Sequence, residues 1–302
     1  MNDPHSQEDR PLPLTPQLTY DDFRPLSSSV AVELAGRSHA GTRPANEDHY
    51  LILRLGRDQQ TLATSLPESA VPARFEETGY GMVVADGMGA TGAGETASRL
   101  AIRTLAELLL HFGRWNLRVD PLTAQDIMQR AERFYHRVDE TVTEVGFESP
   151  ERYGMGTTLT AAGSAGDDLF IAHVGHSRAY LLRDANITQL TRDQTLAQRL
   201  SDTGRPAPLE LAARDARHIL TDALGGLAGY ARVQIEHFRL KHDDRVLLCT
   251  NGLTDVVSDQ RIAAVVQEPR AVDDQCQALV DLALASGGTD NITVVMAKYT
   301  VP

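Results

Sequence analysis

The order in which strand-like and helix-like segments follow one another limits this chain more than any single motif does. Short apolar or alternating runs at 30–34, 50–53 and 80–85 read as strands. Two long stretches with helical periodicity follow, 95–110 and 123–145, the second opening on a Thr123 cap. Strand patterns return at 157–162, 169–173, 178–182 and 187–190, the last pair joined by an Asp184-Ala185-Asn186 turn. A polar helical stretch spans 196–217, strands are expected at 232–240 and 245–250, helices at 259–267 and 272–285, and a last strand at 292–299. Strands joined by hairpin-like turns, with helices arriving in pairs, are not a βαβ repetition. The pattern predicts mainly antiparallel sheets covered by helix pairs, an α+β chain rather than a doubly wound parallel sheet.

Domain organisation is simple. Five prolines within the first 25 residues (Pro4, Pro11, Pro13, Pro16, Pro25) and few apolar side chains mark 1–28 as a flexible Pro-rich tail, because burial there cannot offset the entropy of ordering. No repeat and no linker interrupts the remainder, so 29–302 is expected to be one domain.

Charge and composition exclude whole classes of function. With 29 basic against 41 acidic residues the net charge is −12, and aromatic residues make up only 5%. Such a chain lacks the basic footprint and stacking platforms of a nucleic-acid binder and is repelled by an anionic membrane. Cys249 and Cys276 form neither a zinc spacing nor a disulfide framework, the start of the sequence is polar, and no apolar run approaches the ~18 residues of a membrane span. A cytoplasmic protein is expected.

Two glycine-containing motifs imitate well-known sites. Gly87, Gly89 and Gly92 fit G-x-G-x-x-G, but Asp86 would face a pyrophosphate there and no βαβ crossover follows. Gly175-His176-Ser177-Arg178-Ala179 resembles a nucleophile elbow, yet a strand rather than a helix is expected after Ser177. A different chemistry is carried by carboxylate-bearing segments at strand ends: Asn46-Glu47-Asp48, Asp86-Gly87, Asn251 through Asp255, and Thr289-Asp290-Asn291. Any one is an ordinary turn or cap; together, with few histidines and no cysteine among them, they describe an oxygen-donor site for Mg²⁺ or Mn²⁺. Arg43, five residues before Asp48, could supply a bidentate guanidinium for a phosphate group.

The ordered set Arg43-x-x-Asn46-Glu47-Asp48, Asp86-Gly87-Met88-Gly89, Gly156-Thr157-Thr158, Gly175-His176-Ser177-Arg178, Leu190-Thr191-Arg192-Asp193, Thr250-Asn251-Gly252-Leu253 and Gly288-Thr289-Asp290-Asn291 resembles the metal-dependent (PPM, type 2C) serine/threonine phosphatases of bacterial type. The resemblance implies an α-β-β-α sandwich with two Mn²⁺ or Mg²⁺ ions at one end. It implies that Asp86 bridges the ions, that the Gly87 carbonyl joins one, and that Asn251 and Asp290 hold the other. Asp48 with Glu47 would act through bound water, and Arg43 would clamp the phosphoryl oxygens. The implied reaction is in-line attack on a phosphomonoester by metal-bridging hydroxide, with a phosphoprotein as substrate, a Ser/Thr kinase as the opposing enzyme, and a monomeric signalling protein. Three departures stand out. Asn251 replaces a metal carboxylate, His176 replaces the aspartate that bacterial members link to a third cation, and Gln194 replaces a histidine after Asp193. They keep open the alternative of a degenerate, non-catalytic phosphoprotein-binding member.

Overall fold

The computed structural model describes residues 30–67, 70–90, 92–112, 119, 121–204, 215–226 and 229–302. The tail expected at 1–28, and Trp115, lie outside the described residues. Strands β1 (Ala31–His39), β2 (Asp48–Gln60) and β3 (Arg74–Met88) precede helices α1 (Ala93–Phe112) and α2 (Pro121–Phe147). Strands β4 (Gly156–Thr157), β5 (Leu159–Ala165), β6 (Asp168–Val174), β7 (Arg178–Arg183) and β8 (Asn186–Gln189) follow, then α3 (Leu196–Thr203) and α4 (Asp215–His218). The last third carries β9 (Leu224–Gly225), β10 (Gln234–Arg239), β11 (Arg245–Cys249), α5 (Asn251–Thr254), α6 (Asp259–Gln267), α7 (Val272–Ala285) and β12 (Ile292–Thr300).

Two sheets stack face to face. One runs β1-β12-β11-β7-β8 and the other β10-β6-β5-β3-β4-β9, with β2 added beside β3, and every described pairing is antiparallel. Strand alternation sorts the apolar residues into three layers. Met82, Val84, Leu248, Val295 and Tyr299 fill the space between the sheets. Val83, Ala85, Leu159 and Val174 turn the other way to meet Ala97, Leu105, Phe134 and Val138 of α1 and α2. Leu247, Cys249, Val294 and Met296 pack beneath Ile262, Val266, Leu279 and Ala283 of α6 and α7. The expected α-β-β-α sandwich is what the chain forms. No helix among the described residues is long and apolar enough to cross a membrane.

Three local expectations are corrected. The helical stretch 196–217 breaks after α3, where Gly204 takes a left-handed φ of 63° and its N–H reaches back to Leu200 and Ser201 carbonyls. That is a glycine C-cap, which stops a helix whatever the downstream periodicity; residues 205–214 lie outside the described set, and α4 is one short turn. Helix α2 starts at Pro121, so Thr123 lies inside its first turn rather than capping it. Strands β2 and β3 run well past the apolar cores read from sequence, because their outer ends are a polar ribbon. Arg57 faces Glu77 across the pair and binds it at 2.7 Å, and Arg74 reaches Asp58 at 3.1 Å.

Candidate active site

At one end of the sandwich, strand and loop ends from both sheets meet around a cleft of about 920 Å³. Strand β3 delivers Asp86 to its floor, and the β2–β3 register sets Asp48 directly opposite Asp86. Glycine is required at 87, since a Cβ there would sit 2.1 Å from the Gly94 carbonyl where α1 begins. The Gly156-Thr157-Thr158 motif now has a physical reason: the Thr158 N–H and the Thr157 hydroxyl both donate to the Asp86 carbonyl, at 2.9 Å each, and the Asp86 N–H donates to Thr158 Oγ1 at 3.0 Å. These bonds fix the backbone of Asp86 without using its carboxylate.

The other loops are stitched by side-chain amides and hydroxyls. Asn291 accepts the Glu47 N–H at 2.8 Å and donates to the Ala40 and Ala45 carbonyls at 2.9 Å, fastening the 40–47 loop beside Asp290. The Thr250 hydroxyl donates to Asp48 Oδ2 at 2.7 Å and accepts the Thr293 N–H at 3.0 Å. Arg43 lies along Asp290, with Nε to Oδ1 and Nη2 to Oδ2 both at 3.1 Å. The guanidinium predicted to clamp phosphate thus rests on one of the carboxylates. Asn251 opens α5 and donates to Asp255 Oδ2 at 3.2 Å, one turn on.

The electrostatics are those of crowded acids. Burial, and then the charges of Asp290 and Glu47, push the Asp48 carboxyl up to about 7, against the Thr250 and Thr293 hydrogen bonds that lower it. Burial followed by the charges of Asp48, Asp290 and Glu47 raises Asp86 well above the ordinary range. Asp255 is also raised, chiefly by burial. Asp48 Oδ1 is buried with no hydrogen-bond partner among the described residues. An unpaired buried carboxylate oxygen beside mutually repelling acids is costly unless a cation joins them. Among the described residues no three His, Cys, Asp or Glu side chains are spaced to enclose an ion by themselves; the Gly87 carbonyl and the Asn251 amide are the further oxygens at hand. The donor set is hard and oxygen-rich, and it fits a divalent cation.

Residues 70–283 match the family profile described as Protein phosphatase 2C. The chain belongs to that family. It is 38% identical over 216 residues to the serine/threonine protein phosphatase PstP of Mycobacterium tuberculosis, covering 72% of this chain and 40% of that protein. It therefore spans less than half the length of that relative. It is 32% identical over 217 residues to the serine/threonine phosphatase stp of Listeria monocytogenes, covering 72% of this chain and 83% of that one. The solved PstP/Ppp phosphatase of M. tuberculosis superposes with a TM-score of 0.69 at 33% identity, covering 88% of this chain and 98% of that one. A PstP catalytic domain solved in complex with 2 manganese ions gives 0.68 at 32% identity, covering 90% and 99%.

Within this type 2C frame, Arg43, Asp86, Gly87, Asn251 and Asp290 line one cleft, and Asp48 lies just beneath it. Asp255, the carboxylate of the 251–255 segment singled out from sequence, lines the same cleft one helical turn from Asn251. Arg217 and His218, which sequence reasoning did not connect with the carboxylates, line it too, with His218 Nδ1 3.7 Å from Asp255 Oδ2. His176 stands beside the Asp86 carboxylate, its Nε2 4.0 Å from Asp86 Oδ2, and burial lowers its pKa to about 4. Its turn is held from below. The Gly175 N–H donates to Gln194 Oε1 at 2.8 Å, and Arg178 pairs bidentately with Asp193 at 2.8 and 2.6 Å.

The nucleophile-elbow imitation ends here. Ser177 is fully buried, shares a 2.8 Å hydrogen bond with the Thr158 hydroxyl, and leads into strand β7. Ser177→Ala should keep aryl phosphate turnover within about threefold, at a stability cost of about 1 kcal/mol for the lost hydrogen bond. A fluorophosphonate probe should leave the protein unlabelled; stoichiometric labelling of Ser177 would contradict its burial.

Proposed function

We propose that this chain is a metal-dependent protein serine/threonine phosphatase, with residues 29–302 as its catalytic domain. The observation that carries the reading is the register-paired Asp48 and Asp86, both pushed up by burial and neighbouring acids, at the base of a cleft that also presents Asp290 and Arg43. Asp86, Asp290, the Asn251 amide oxygen and the Gly87 carbonyl would hold two divalent cations, Mn²⁺ or Mg²⁺, with Asp48 and Glu47 acting through bound water. Bound there, the cations supply Lewis-acid stabilisation of phosphoryl charge and lower the pKa of water.

The chain's own residues do the positioning. Arg43 presents its planar fork at the cleft, and the geometry that grips Asp290 on two atoms also suits two phosphoryl oxygens. His176, with its basicity lowered by burial, stands as a neutral imidazole above Asp86 and adds no charge to the phosphate's surroundings. The substrate class is a phosphoserine or phosphothreonine protein, with a Ser/Thr kinase supplying the phosphate. A monomer in the cytoplasm suits the free, buried Cys249 and Cys276 and the acidic surface. The neutral Asn251 favours a second reading, a phosphoprotein-binding relative without turnover. Hydrolysis of p-nitrophenyl phosphate and of a phosphothreonine peptide, with Mn²⁺ and with EDTA, separates the two: Mn²⁺-dependent release of phosphate supports the enzyme, and none at saturating Mn²⁺ supports the binder.

Proton linkage offers a test that needs no substrate. In the metal-free chain Asp48 is raised from 3.8 to about 7, so below that pH its protonated form is populated. A nearby cation favours the carboxylate, so loading must expel the proton. At about pH 6, Mn²⁺ binding should release close to one proton or more and be several-fold weaker than at about pH 8. Calorimetry in two buffers of different ionisation enthalpy counts the protons. Equal affinity at both pH values would detach Asp48 from the cation site.

A further inference from the structure

A second cavity, of about 210 Å³, lies between the β2-β3-β5-β6 face and helices α1 and α2, away from the carboxylate cleft. Its origin is legible in the strand register. One row of cross-strand partners reads Leu53–Gly81–Gly163–Phe170–His237. The next row towards the cleft, Leu51–Val83–Ala161–Ala172, is packed under α1 and α2, so the two glycines face the same helices. Among the described residues a Cβ built on Gly163 meets nothing within 4 Å, and one on Gly81 meets only Leu53, at 3.6 Å. Two adjacent strands thus contribute no side chain, and neither helix fills the space. The space is an open trough rather than a sealed cavity, and its volume exceeds the ~150 Å³ that accepts a benzene in a protein core.

The walls say what fits. Phe170 stacks on His237 with ring centroids 4.6 Å apart and planes 7° from parallel. His237 and Gly163 are the partners of Phe170 on its opposite sides, so the second face of the Phe170 ring looks out over Gly163. Strand spacing of ~4.8 Å matches the spacing of stacked rings. A flat ring standing over Gly163 therefore continues the stack, and the step over Gly81 leaves room for one more before Leu53 closes the trough. The lining carries little to satisfy a polar ligand. Arg130, its one charged residue among those described, is paired with Asp126, and the Tyr135 hydroxyl donates to the Ala172 carbonyl at 2.7 Å.

We propose that this trough is a binding site for a neutral, planar aromatic molecule of one or two rings, stacked on Phe170 above the Gly163–Gly81 floor. The site is independent of the metal cleft and of the phosphatase reading. Its test uses the full chain and toluene as the probe, with methylcyclohexane as a non-aromatic molecule of similar size and hexanoate as an anionic one. Toluene should raise the Tm saturably, by about 2 °C or more, and should do so at least threefold more tightly than methylcyclohexane, while hexanoate gives no shift. Gly163→Val, whose added atoms enter open space, should raise the Tm of the ligand-free protein, remove the toluene shift and leave p-nitrophenyl phosphate turnover unchanged. Gly163→Ala should weaken toluene by a smaller factor. Absence of a toluene shift in the parent chain, equal binding of methylcyclohexane, or a shift that survives Gly163→Val at the same affinity would each overturn the proposal.

Discussion

Asp86→Ala is expected to lower kcat/KM for an aryl phosphate by at least about three orders of magnitude at any Mn²⁺ concentration. Three orders correspond to about 4 kcal/mol of lost transition-state stabilisation, the scale on which a charge clamp on a phosphoryl group acts. The fold should survive, because the bonds that fix residue 86 come from its backbone: Thr157, Thr158 and the β2–β3 ladder hold the peptide whatever the side chain. The metal-free variant should be at least as stable as the parent, since it no longer buries a carboxyl that burial, and then the charges of Asp48, Asp290 and Glu47, raise well above the ordinary range. Calorimetric Mn²⁺ titration should show the loss of tight binding, and thermal scans in EDTA should show no fall in Tm. Mn²⁺-dependent turnover within tenfold of the parent would remove Asp86 from the centre of the site.

Asn251→Asp should have the next largest effect, and its signature changes sign with metal. A carboxylate restores a full negative charge to a position whose amide is only a dipole, so the Mn²⁺ concentration for half-maximal activity should fall tenfold or more, about 1.4 kcal/mol per factor of ten. Structure adds a cost that sequence did not foretell. Asn251 Nδ2 donates to Asp255 Oδ2 at 3.2 Å, and an aspartate there would exchange that hydrogen bond for like-charge repulsion across one helical turn. In EDTA the variant should therefore melt below the parent, and in saturating Mn²⁺ at or above it. Paired thermal scans and a metal titration read both halves. If neither metal affinity nor the EDTA melting point moves, residue 251 does not face the ions.

The departures from the family pattern become intelligible as substitutions within a supported frame. Gln194 uses both ends of its amide, accepting the Gly175 N–H and donating to the Arg232 carbonyl at 2.8 Å each, so a histidine is not needed to hold that corner. His176 occupies its turn with Nδ1 buried and without a hydrogen-bond partner among the described residues. Arg43 is shared between a carboxylate and its proposed phosphate, so substrate and Asp290 compete for one guanidinium.

The layer order and the grouping of Asp48, Asp86, Gly87, Asn251 and Asp290 as one set were implied by the resemblance to the type 2C phosphatases; sequence patterning by itself determined antiparallel sheets with paired helices and the strand ends that carry oxygen donors. Those are local properties: period-2 and period-3.6 patterning, turn residues, and the hardness of carboxylate oxygen. It missed the outer halves of β2 and β3, because ion pairs such as Arg57–Glu77 replace apolar alternation there and leave no periodic signal. It carried the helical pattern through Gly204, because periodicity does not register a left-handed cap. Only the tertiary structure decided that Asp48 faces Asp86, that Arg43 lies on Asp290, and that Gly81 and Gly163 fall side by side under a helix pair. Each of these is a matter of register between segments far apart in sequence. A one-residue slip in register would send the same side chains to the opposite face, so the site and the aromatic trough are products of pairing, not of composition.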